Sequence, residues 1–399
     1  MSESTQPQIV PKKILVVAPQ PFFQDRGTPI AVRLLVEELA RLGFNVHLLV
    51  FHEGEDVFLP GVTQHRIPSI PGVKNIPPSI SWKKIVCDVV LFFKVIQLLR
   101  HHRFDLIHAV EESAFIAGIM KMIFGTPYIY DMDSSLAIQL ADKLPFLSPV
   151  RPLLEMFEKT AVRGSVAVVA VCKELEDIVL GYAPGKHVVR LEDISMLDTT
   201  VSGEESLRER FAITGPIMLY VGNLESYQGI DLLLESFQIA LQKGCPGNIV
   251  IIGGTKETIA AYETYSSELG ISEKTFFCGP RPLELLAHYL GQADILLSPR
   301  VQGNNTPMKL YSYLDSGKPV LATRLITHTQ VLTDEFACLV EPVKESMAEG
   351  IMYLVDDFAA GRRMGEKGKE VVRENYSLEA FRKKLEPFYA KVVSDISKD

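Results

Sequence analysis

The chain has 399 residues, more than a single hydrophobic core usually supports, so it predicts two domains of about 150 to 200 residues each. Its 47% hydrophobic and 23% charged residues are ordinary for a globular protein, and the net charge of −8 argues against nucleic acid as a partner, because a phosphate backbone requires a concentrated basic face. Five scattered cysteines without a CxxC pair indicate buried free thiols in a reducing compartment, not a disulfide frame or a zinc site.

Two features of the sequence bear on the location of the protein, its N-terminus and the length of its apolar runs. The N-terminus is polar and leads directly into a predicted strand, so we expect no signal peptide. No uninterrupted apolar run approaches the roughly 18 residues of a membrane-spanning helix. We therefore expect a cytoplasmic protein, acting at the inner face of the membrane if it contacts lipid.

The first half of the chain alternates short apolar runs with amphipathic stretches. The segment 12–19 (KKILVVAP) is a continuous apolar run, as in a strand buried on both faces. A helix is predicted next, with Ala31, Leu35, Leu39 and Leu42 on one side. Further strands are predicted at NVHLLVF, FDLIHAV, PYIYDMD and SVAVVAVC. Alternation of strands and helices predicts a parallel sheet with helices on both faces.

A long helix is predicted over 81–105, and it has two interpretations. Its apolar stripe consists of Ile85, Val89, Phe92, Ile96 and Leu99, and its basic residues are Lys83, Lys84, Lys94, Arg100 and Arg103. The first interpretation is a core-packing helix with a solvated face. The second is peripheral contact of residues 82–103 with an anionic membrane surface, which this composition also suits.

The alternation restarts in the second half of the chain. It begins at 216–241 and continues through NIVIIGG, KTFFCG, ADILLSP, PVLAT and ACLVEP. The stretch 190–212 is polar and acidic and predicts a linker. The predicted domains are therefore 1–198 and 199–376, each a Rossmann-like α/β domain, followed by a C-terminal helix over 377–399 that we expect to return toward the N-terminal domain.

Two loops of the first half contain candidate site residues. Thr28 predicts a helix N-cap with Pro29 at the first helical position, and Arg26 and Gly27 could bring positive charge and backbone N–H groups to an anion. The alternative is an ordinary capped turn. Glu111 and Asp131 each follow or end a predicted strand, where carboxylates can accept hydrogen bonds from sugar hydroxyls, act as a base, or simply favour a helix N-terminus.

The stretch SPRVQGNNTPMKLYSYLDSGKPV (298–320) joins a predicted strand to a short helix, and α/β proteins place their ligands at such junctions. The matching turn earlier in the second half is YVGNLESYQGIDLLLESF, with glycines at 222 and 229. A glycine turn without a ligand is the alternative there. Asp131 and Asp133 could hold magnesium or manganese, but Ser134 and Ser135 are equally good helix caps, and we expect no metal site.

These second-half motifs resemble the C-terminal domain of the family-4 retaining glycosyltransferases, which have the GT-B fold. The first-half stretch ILVVAPQPFFQDRGTPIAVRLLVEELARLGFNV resembles the N-terminal domain of the same family. The resemblance covers nearly the whole chain. It implies two Rossmann-like domains facing across a cleft, a nucleotide-sugar donor held mainly by the C-terminal half, a lipid-linked or saccharide acceptor on the N-terminal half, and no obligatory metal or other cofactor.

Under the hypothesis of such a glycosyltransferase, the chain offers candidate residues for each role. The catalytic candidates are His108, Glu111 and Asp131, and the acceptor-side loop is Arg26, Gly27 and Thr28. The donor-binding candidates are Gly222, Asn223, Gln228, Gly279, Arg281, Arg300, Asn304, Asn305, Thr306, Pro307, Met308, Lys309 and Ser312.

The chain departs from the family pattern at several charged positions. Asn223 and Gln228 stand where the family has an arginine and a lysine facing the donor diphosphate. The second histidine of the family's HxH pattern is Val110, and neither of its paired glutamates is present, with Ser312 at the second position. Arg26, Arg300 and Lys309 could supply the missing positive charge.

Three functions are compatible with these residues. The first is a hexosyltransferase, retaining in mechanism, that acts in cell-surface polysaccharide or glycolipid synthesis. The second is a non-catalytic GT-B-like binding or partner protein, as the replaced charges allow. The third is a nucleotide-sugar epimerase of the same fold. A NAD-dependent dehydrogenase is disfavoured because no G-x-G-x-x-G follows the first strand of either half.

Overall fold

The computed structural model describes residues 12–24, 27–77, 81–135, 138, 151–303 and 305–398. The chain divides into two compact units. The first contains the described residues of Met1–Glu192 and Arg382–Asp399, and the second is Asp193–Phe381.

The strands are all parallel to their neighbours. In chain order they are β1 (Lys13–Val17), β2 (Asn45–Val50), β3 (Val62–Arg66), β4 (Leu106–Val110), β5 (Tyr128–Met132), β6 (Ala167–Ala170), β7 (Val188–Arg190), β8 (Ile217–Val221), β9 (Asn248–Ile252), β10 (Thr275–Gly279), β11 (Ile295–Ser298), β12 (Val320–Thr323) and β13 (Cys338–Val340).

The helices fill the intervals between the strands. Those of the described residues are α1 (Gly27–Arg41), α2 (Trp82–His101), α3 (Ser113–Phe124), α4 (Arg151–Gly164), α5 (Lys173–Tyr182), α6 (Leu207–Arg210), α7 (Ile230–Gln242), α8 (Lys256–Glu268), α9 (Leu286–Gln292), α10 (Lys309–Asp315), α11 (Ile326–Thr329), α12 (Lys344–Asp356), α13 (Phe358–Asn375) and α14 (Leu378–Ile396).

The first unit is built on a seven-stranded sheet in the order β3-β2-β1-β4-β5-β6-β7. Its central strands are buried throughout, because helices cover them and the run of Val, Ile and Leu leaves no polar face. Helices α2, α3, α4 and α5 share one hydrophobic cluster with the sheet. The edge strands β3 and β7 escape sequence prediction because they are short, only half-buried and carry no continuous apolar run.

The second unit contains a six-stranded parallel sheet in the order β10-β9-β8-β11-β12-β13. Two hydrophobic clusters cover it, one with α10 and part of α13 and the other with α7 and α12. The predicted fold class, an α/β protein with two Rossmann-like parallel sheets, is therefore confirmed. All five cysteines are free thiols, and four of them are buried.

Both sheets reverse their strand order at one place, and that place positions the candidate sites. In the first sheet β1 lies between β2 and β4, and in the second β8 lies between β9 and β11. At such a switch point the loops leave the carboxyl ends of two adjacent strands in opposite directions and open a crevice. The loops after β1 and β4, and those after β8 and β11, are therefore where a ligand is expected.

Two local predictions about helices need correction. Helix α1 begins at Gly27, so Thr28 lies within its first turn instead of capping it. Helix α2 buries a stripe made of Cys87, Leu91, Val95 and Leu98, whereas Ile85 and Val89 of the predicted stripe are exposed. Because α2 is apolar on most of its circumference, its sequence periodicity could not indicate which side faces the sheet.

Candidate functional site

The loops after β8 and β11 bring two basic side chains together in the second unit. Lys309 Nζ lies 3.4 Å from Gln228 Oε1, to which it donates, and 3.8 Å from the ring centroid of Tyr220. Arg300 stacks over Tyr227 with its guanidinium carbon 5.0 Å from the ring centroid. We refer to Tyr220, Gly222, Gln228, Tyr227, Arg300 and Lys309 as the Lys309 site.

Neither basic side chain of the Lys309 site has an acidic partner among the described residues. Arg300 is only 8% exposed, donates from Nη1 to the Asn305 carbonyl at 2.9 Å, and leaves its Nε without a partner in the described part of the chain. Burial lowers the pKa of Arg300. Burial, with the nearby charge of Arg300, lowers the pKa of Lys309 well below its usual value. A buried arginine and a half-buried lysine, without an acidic partner among the described residues, make this site suited to an anion.

The glycine at the end of β8 allows these groups to approach one another. Gly222 has φ +153°, and a Cβ there would lie 2.9 Å from the Tyr220 hydroxyl and 3.3 Å from Lys309 Nζ. Tyr220 donates its hydroxyl to the Asn223 carbonyl at 2.7 Å. Any side chain at 222 would therefore fill the space beside Lys309 Nζ, which is the space an anion needs.

A buried hydrogen-bonded network fixes the loop that carries Arg300. The imidazole of His328, 0% exposed, lies with Nε2 2.9 Å from Ser298 Oγ and Nδ1 2.7 Å from the Thr323 carbonyl. Thr323 Oγ1 then donates to the Arg300 carbonyl at 2.5 Å. Burial lowers the pKa of His328 to about 4, so the ring is neutral at neutral pH and adds no third positive charge. His328 is thus a positioning residue for Arg300.

The turn that contains Asn223 and Gln228 is packed on the Arg300 loop. Asn223 Nδ2 donates to the Tyr227 hydroxyl at 3.3 Å, and Val301 N donates to the Tyr227 carbonyl at 3.0 Å. Gly229, at φ +72°, would place a Cβ 2.1 Å from the Pro299 carbonyl. The neutral residues Asn223 and Gln228 thus lie beside the Lys309 site without supplying charge. The positive charge comes from Arg300 and Lys309, in the segment after β11.

Several other donor-side candidates have structural partners. Arg281, predicted to bind donor, forms a two-pronged ion pair with Glu205 at 2.9 and 3.0 Å and also donates to Tyr289. These contacts favour a structural role, and donor binding by Arg281 stays a prediction. Gly279, at φ +71°, accepts from Gly253 N through its carbonyl. Ser312 Oγ accepts from Met196 N at 3.0 Å, which occupies the hydroxyl within its own unit.

The remaining donor-side candidates lie in the loop before α10. Thr306 is 6% exposed, and its hydroxyl has no partner among the described residues, so it can serve a ligand. Pro307 and Met308 accept hydrogen bonds from Leu310 N and Tyr311 N and begin the helix. The predicted residues Asn304 and Arg26 lie outside the described residues.

The candidate catalytic residues of the first unit form a chain of hydrogen bonds. His108 is fully buried on β4, with Nε2 2.8 Å from Asp131 Oδ2 and Nδ1 2.6 Å from the Tyr389 hydroxyl. The two partners suit a ring that donates from Nε2 to the carboxylate and accepts at Nδ1 from the tyrosine. Both ring nitrogens of His108 have partners and the residue is 0% exposed, so the geometry favours a positioning role toward Asp131, whose side chain is 13% exposed, and the catalytic role of His108 stays a prediction.

Glu111 lies directly after β4 in an acidic cluster with one lysine. It adopts φ +50°, and Ser134 Oγ donates to it at 3.4 Å. Lys84 Nζ lies 2.6 Å from Glu112 and 3.9 Å from Glu111. Burial and the charge of Glu112 raise the pKa of Glu111, and the same two causes raise the pKa of Asp88 to about 8. A carboxyl group with a raised pKa can hold a proton near neutral pH, which suits acid or base chemistry.

The start of α1 leaves open space beside the predicted acceptor-side loop. A Cβ built on Gly27 would meet nothing within 4 Å, and Thr28 is half-buried, so the approach of a ligand to Gly27 and Thr28 stays a prediction. Over the described residues, no group of three or more His, Cys, Asp and Glu side chains is arranged to hold a metal ion.

Family models match both halves of the chain. The "Glycosyl transferase 4-like domain" model matches residues 26–191, and the "Glycosyl transferases group 1" model matches residues 204–371. The chain belongs to the family-4, GT-B glycosyltransferases. As in the sequence-based resemblance, the first unit carries the 4-like domain and the second unit carries the group 1 domain.

Relatives and solved structures resemble this glycosyltransferase over most of its length. Alpha-D-kanosaminyltransferase of Streptomyces kanamyceticus is 22% identical over 290 residues, 70% of this chain and 74% of the relative. D-inositol 3-phosphate glycosyltransferase of Corynebacterium diphtheriae is 24% identical over 309 residues, 72% of this chain and 71% of the relative.

Two solved structures show the fold of the glycosyltransferase. Sucrose-phosphate synthase from Thermosynechococcus elongatus superposes with a TM-score of 0.78 at 19% identity, covering 96% of this chain and 100% of that one. The Anabaena protein HepE in complex with UDP-glucose has a TM-score of 0.70 at 13% identity, covering 96% of this chain and 99% of that one.

Sequence reasoning missed several side chains of this glycosyltransferase. Tyr220 and Tyr227 lie within the motif YVGNLESYQGIDLLLESF, but the sequence does not distinguish a tyrosine that lines a site from one that packs in the hydrophobic core. Lys84, His328 and Tyr389 reach Glu112, Ser298 and His108, which are distant in sequence, and no local pattern indicates these contacts.

Proposed function

We propose that this glycosyltransferase moves a hexose from a nucleotide-sugar donor, with the donor diphosphate held at the Lys309 site. The observation that supports this proposal is the pair of basic side chains, buried Arg300 and half-buried Lys309, with no carboxylate partner among the described residues. Charge-assisted hydrogen bonds are worth roughly 1.5–3 kcal/mol each, and an anion would compensate the charge of the buried Arg300. The HepE complex with UDP-glucose supports a nucleotide sugar as the donor class.

The proposed chemistry is a retaining transfer without a metal ion. The bond between the anomeric carbon and the leaving phosphate oxygen breaks, and the acceptor oxygen bonds to the same carbon. In this proposal the departing phosphate takes the acceptor's proton, so no protein nucleophile is needed. Arg300 and Lys309 stabilise the negative charge that develops on the departing diphosphate, and Thr306 offers a hydroxyl to the donor.

We place the acceptor beside Asp131 and Glu111 of the first unit. Asp131 is held by His108 at 2.8 Å and keeps part of its surface exposed, so it can accept a hydrogen bond from an acceptor hydroxyl. We propose a lipid-linked or saccharide acceptor, in cell-surface polysaccharide or glycolipid synthesis on the cytoplasmic side. A lipid-linked acceptor would require contact with a membrane, which residues 82–103 can provide.

A non-catalytic binding protein is the second candidate. The observations that favour it are the engaged side chains of His108 and Ser312, at positions where the family pattern has titratable groups. Such a protein would still bind a nucleotide sugar at the Lys309 site and would turn none over. An epimerase of the same fold would convert the donor without any acceptor.

The test is calorimetric titration of the purified chain with UDP-, GDP- and ADP-sugars in the presence of EDTA. We expect one nucleotide class to bind, and Arg300→Met and Lys309→Met to weaken it at least about 10-fold each, as the loss of one charged hydrogen bond predicts. Arg362→Met and Lys367→Met are the matched controls, because both residues lie exposed or part-exposed on α13. Unchanged affinity in both site variants would refute the assignment.

Activity separates the candidates once the donor class is known. Incubation of that donor with saccharide and lipid-linked acceptors should yield glycosylated product, with the released nucleoside diphosphate in equal amount. Donor binding without product in any acceptor mixture would favour the binding protein. Conversion of the donor sugar in the absence of acceptor would favour the epimerase.

A further inference from the structure

Helix α2 exposes an apolar stripe on the side away from the sheet. Trp82, Ile85, Val89 and Phe93 are 62%, 56%, 53% and 63% exposed. Their spacings of three, four and four residues place them on one side of a helix. The core-facing side of α2 is a different stripe, which is fully occupied by packing against the sheet. The exposed residues therefore do not belong to the core of the first unit.

The neighbouring helix continues this surface. Ile119, Met122 and Ile123 of α3 are 38%, 79% and 59% exposed, and α3 packs directly beside α2. We call these seven side chains, four from α2 and three from α3, the α2–α3 face. So many large apolar side chains exposed on two adjacent helices mark an interaction surface, whereas singly scattered ones do not.

The charged residues of α2 and α3 are predominantly positive. The cations on the two helices are Lys83, Lys84, Lys94, Arg100 and Lys121, and their only acidic residue is Asp88. This local excess stands against the net charge of −8 of the whole chain. Lys84 faces the acidic cluster at Glu111 and Glu112, so it is already neutralised.

The other cations have only neutral partners in the described part of the chain. Lys83 donates to the Lys74 carbonyl, Lys94 to Gln97 Oε1 and Lys121 to the Gly164 carbonyl. Arg100 is exposed at the last turn of α2. Their positive charge is therefore available to an anionic partner of the α2–α3 face.

We infer that the α2–α3 face docks on an anionic membrane surface, with Trp82, Phe93 and Met122 inserted at the headgroup level and Lys94, Arg100 and Lys121 against the lipid phosphates. Apolar insertion combined with basic flanks is the composition of an interfacial helix. No helix of the described residues is long and apolar enough to cross a membrane. A second copy of the chain fits less well, since a symmetric contact would bring like charges together.

This inference extends the proposed function, because it gives a lipid-linked acceptor a surface from which to reach Asp131 and Glu111. Helix α2 connects the two places: Trp82 and Ile85 lie on its exposed side, while Lys84 of the same turn contacts Glu111 and Glu112. Docking would thus hold the acidic cluster near the lipid headgroups. Vesicle binding itself requires neither donor nor transfer.

The test measures binding of the full chain to vesicles of phosphatidylcholine with and without phosphatidylglycerol. Trp82 is the only tryptophan of the chain, so its fluorescence reports on the α2–α3 face alone. We expect co-sedimentation with the phosphatidylglycerol vesicles, a blue shift of the Trp82 emission, and weaker binding at high salt. Phe93→Ser and Met122→Ser should each weaken binding several-fold, and Lys94→Glu with Lys121→Glu should abolish the preference for anionic lipid.

Matched controls come from the second unit. Val343 and Phe358 are 50% and 39% exposed, so Val343→Ser and Phe358→Ser remove comparable apolar groups, and Lys367→Glu is the control for charge reversal. None of the three should change vesicle binding. Equal binding by site and control variants would overturn the inference, as would a Trp82 emission that stays unshifted when the protein sediments with vesicles.

Donor titration of the same samples keeps this inference distinct from the proposed function. A chain that binds nucleotide sugar but no anionic vesicle would overturn the docking inference and leave the proposed function in place. A chain that binds vesicles but no donor would do the reverse. Concentration-dependent dimerisation that Phe93→Ser abolishes, without vesicle binding, would show that a second copy covers the face.

Discussion

The hydroxyl of Tyr389 lies 2.6 Å from Nδ1 of His108, although 281 residues separate them in the chain. This hydrogen bond ties helix α14 to the central strand β4, and His108 passes the connection on to Asp131 through its other nitrogen. Arg382, on the same helix, forms a two-pronged ion pair with Glu38 of α1 at 2.6 and 2.8 Å. The end of the chain thus helps to orient a candidate acceptor-side carboxylate.

We expect Tyr389→Phe to lower the free energy of unfolding of the first unit by about 1–3 kcal/mol, because it leaves the buried Nδ1 of His108 without its donor. Urea denaturation followed by circular dichroism measures the change. Tyr353→Phe is the matched control, since Tyr353 is 45% exposed on α12. Identical midpoints for the wild type and Tyr389→Phe would show that this hydrogen bond contributes nothing to the native state.

We expect the affinity for a nucleoside diphosphate to fall as pH rises through the pKa of Lys309. Burial and the charge of Arg300 lower that pKa in the free protein, and a bound anion favours the protonated amine, so binding takes up a proton wherever free Lys309 is neutral. Calorimetry between about pH 8 and 10, where the diphosphate is fully ionised, measures the slope. Lys309→Met should bind weakly with a flat profile. A flat profile in the wild type would contradict the prediction.

We expect the second unit to lose stability in acid partly through His328. Burial lowers the pKa of His328 from 6.5 to about 4 in the folded protein. Above pH 6.5 the ring is neutral in both states and contributes no pH dependence. As pH falls from 6.5 toward 4, His328 becomes protonated in the unfolded chain but stays neutral in the folded chain. The free energy of unfolding therefore falls, by on the order of 3 kcal/mol in total.

His328→Gln removes this titration while keeping hydrogen-bonding atoms near Ser298. Chemical denaturation of wild type and variant at several pH values should show a shallower acid slope for the variant, even if its stability at neutral pH is lower. His101→Gln, on the exposed end of α2, should keep the wild-type slope. Parallel slopes for wild type and His328→Gln would rule the effect out.

We expect substitution of Arg281 to affect mainly stability and substitution of Arg300 to affect mainly donor binding. Arg281→Met breaks the ion pair with Glu205 and the contact with Tyr289, so we expect a loss of about 1–3 kcal/mol in stability with donor affinity within about twofold of wild type. Arg300→Met should weaken donor binding with a smaller effect on folding. Thermal denaturation and donor titration of both variants provide the comparison. A large loss of donor affinity in Arg281→Met would support its predicted role in donor binding instead.

The fold was predictable because buried parallel strands leave a local signature. Runs such as 12–19 are apolar on both faces, and each is followed by an amphipathic helix, so the order of elements can be read along the chain. The same reasoning finds the loops after β8 and β11, since ligand loops follow strand ends. It therefore finds Arg300 and Lys309 and the replacements at Asn223 and Gln228, all in the segments that join β8 and β11 to the helices after them.

The tertiary structure decided what each of these side chains faces. Only the folded second unit brings Lys309 beside Gln228, 81 residues away, and pairs Arg281 with Glu205, 76 residues away. Only the folded first unit buries His108 against Tyr389 and turns Trp82 and Phe93 outward. The physical reason is that burial patterns repeat every few residues and can be seen in a short stretch of sequence. The partner of a charged side chain depends instead on which distant segment packs beside it.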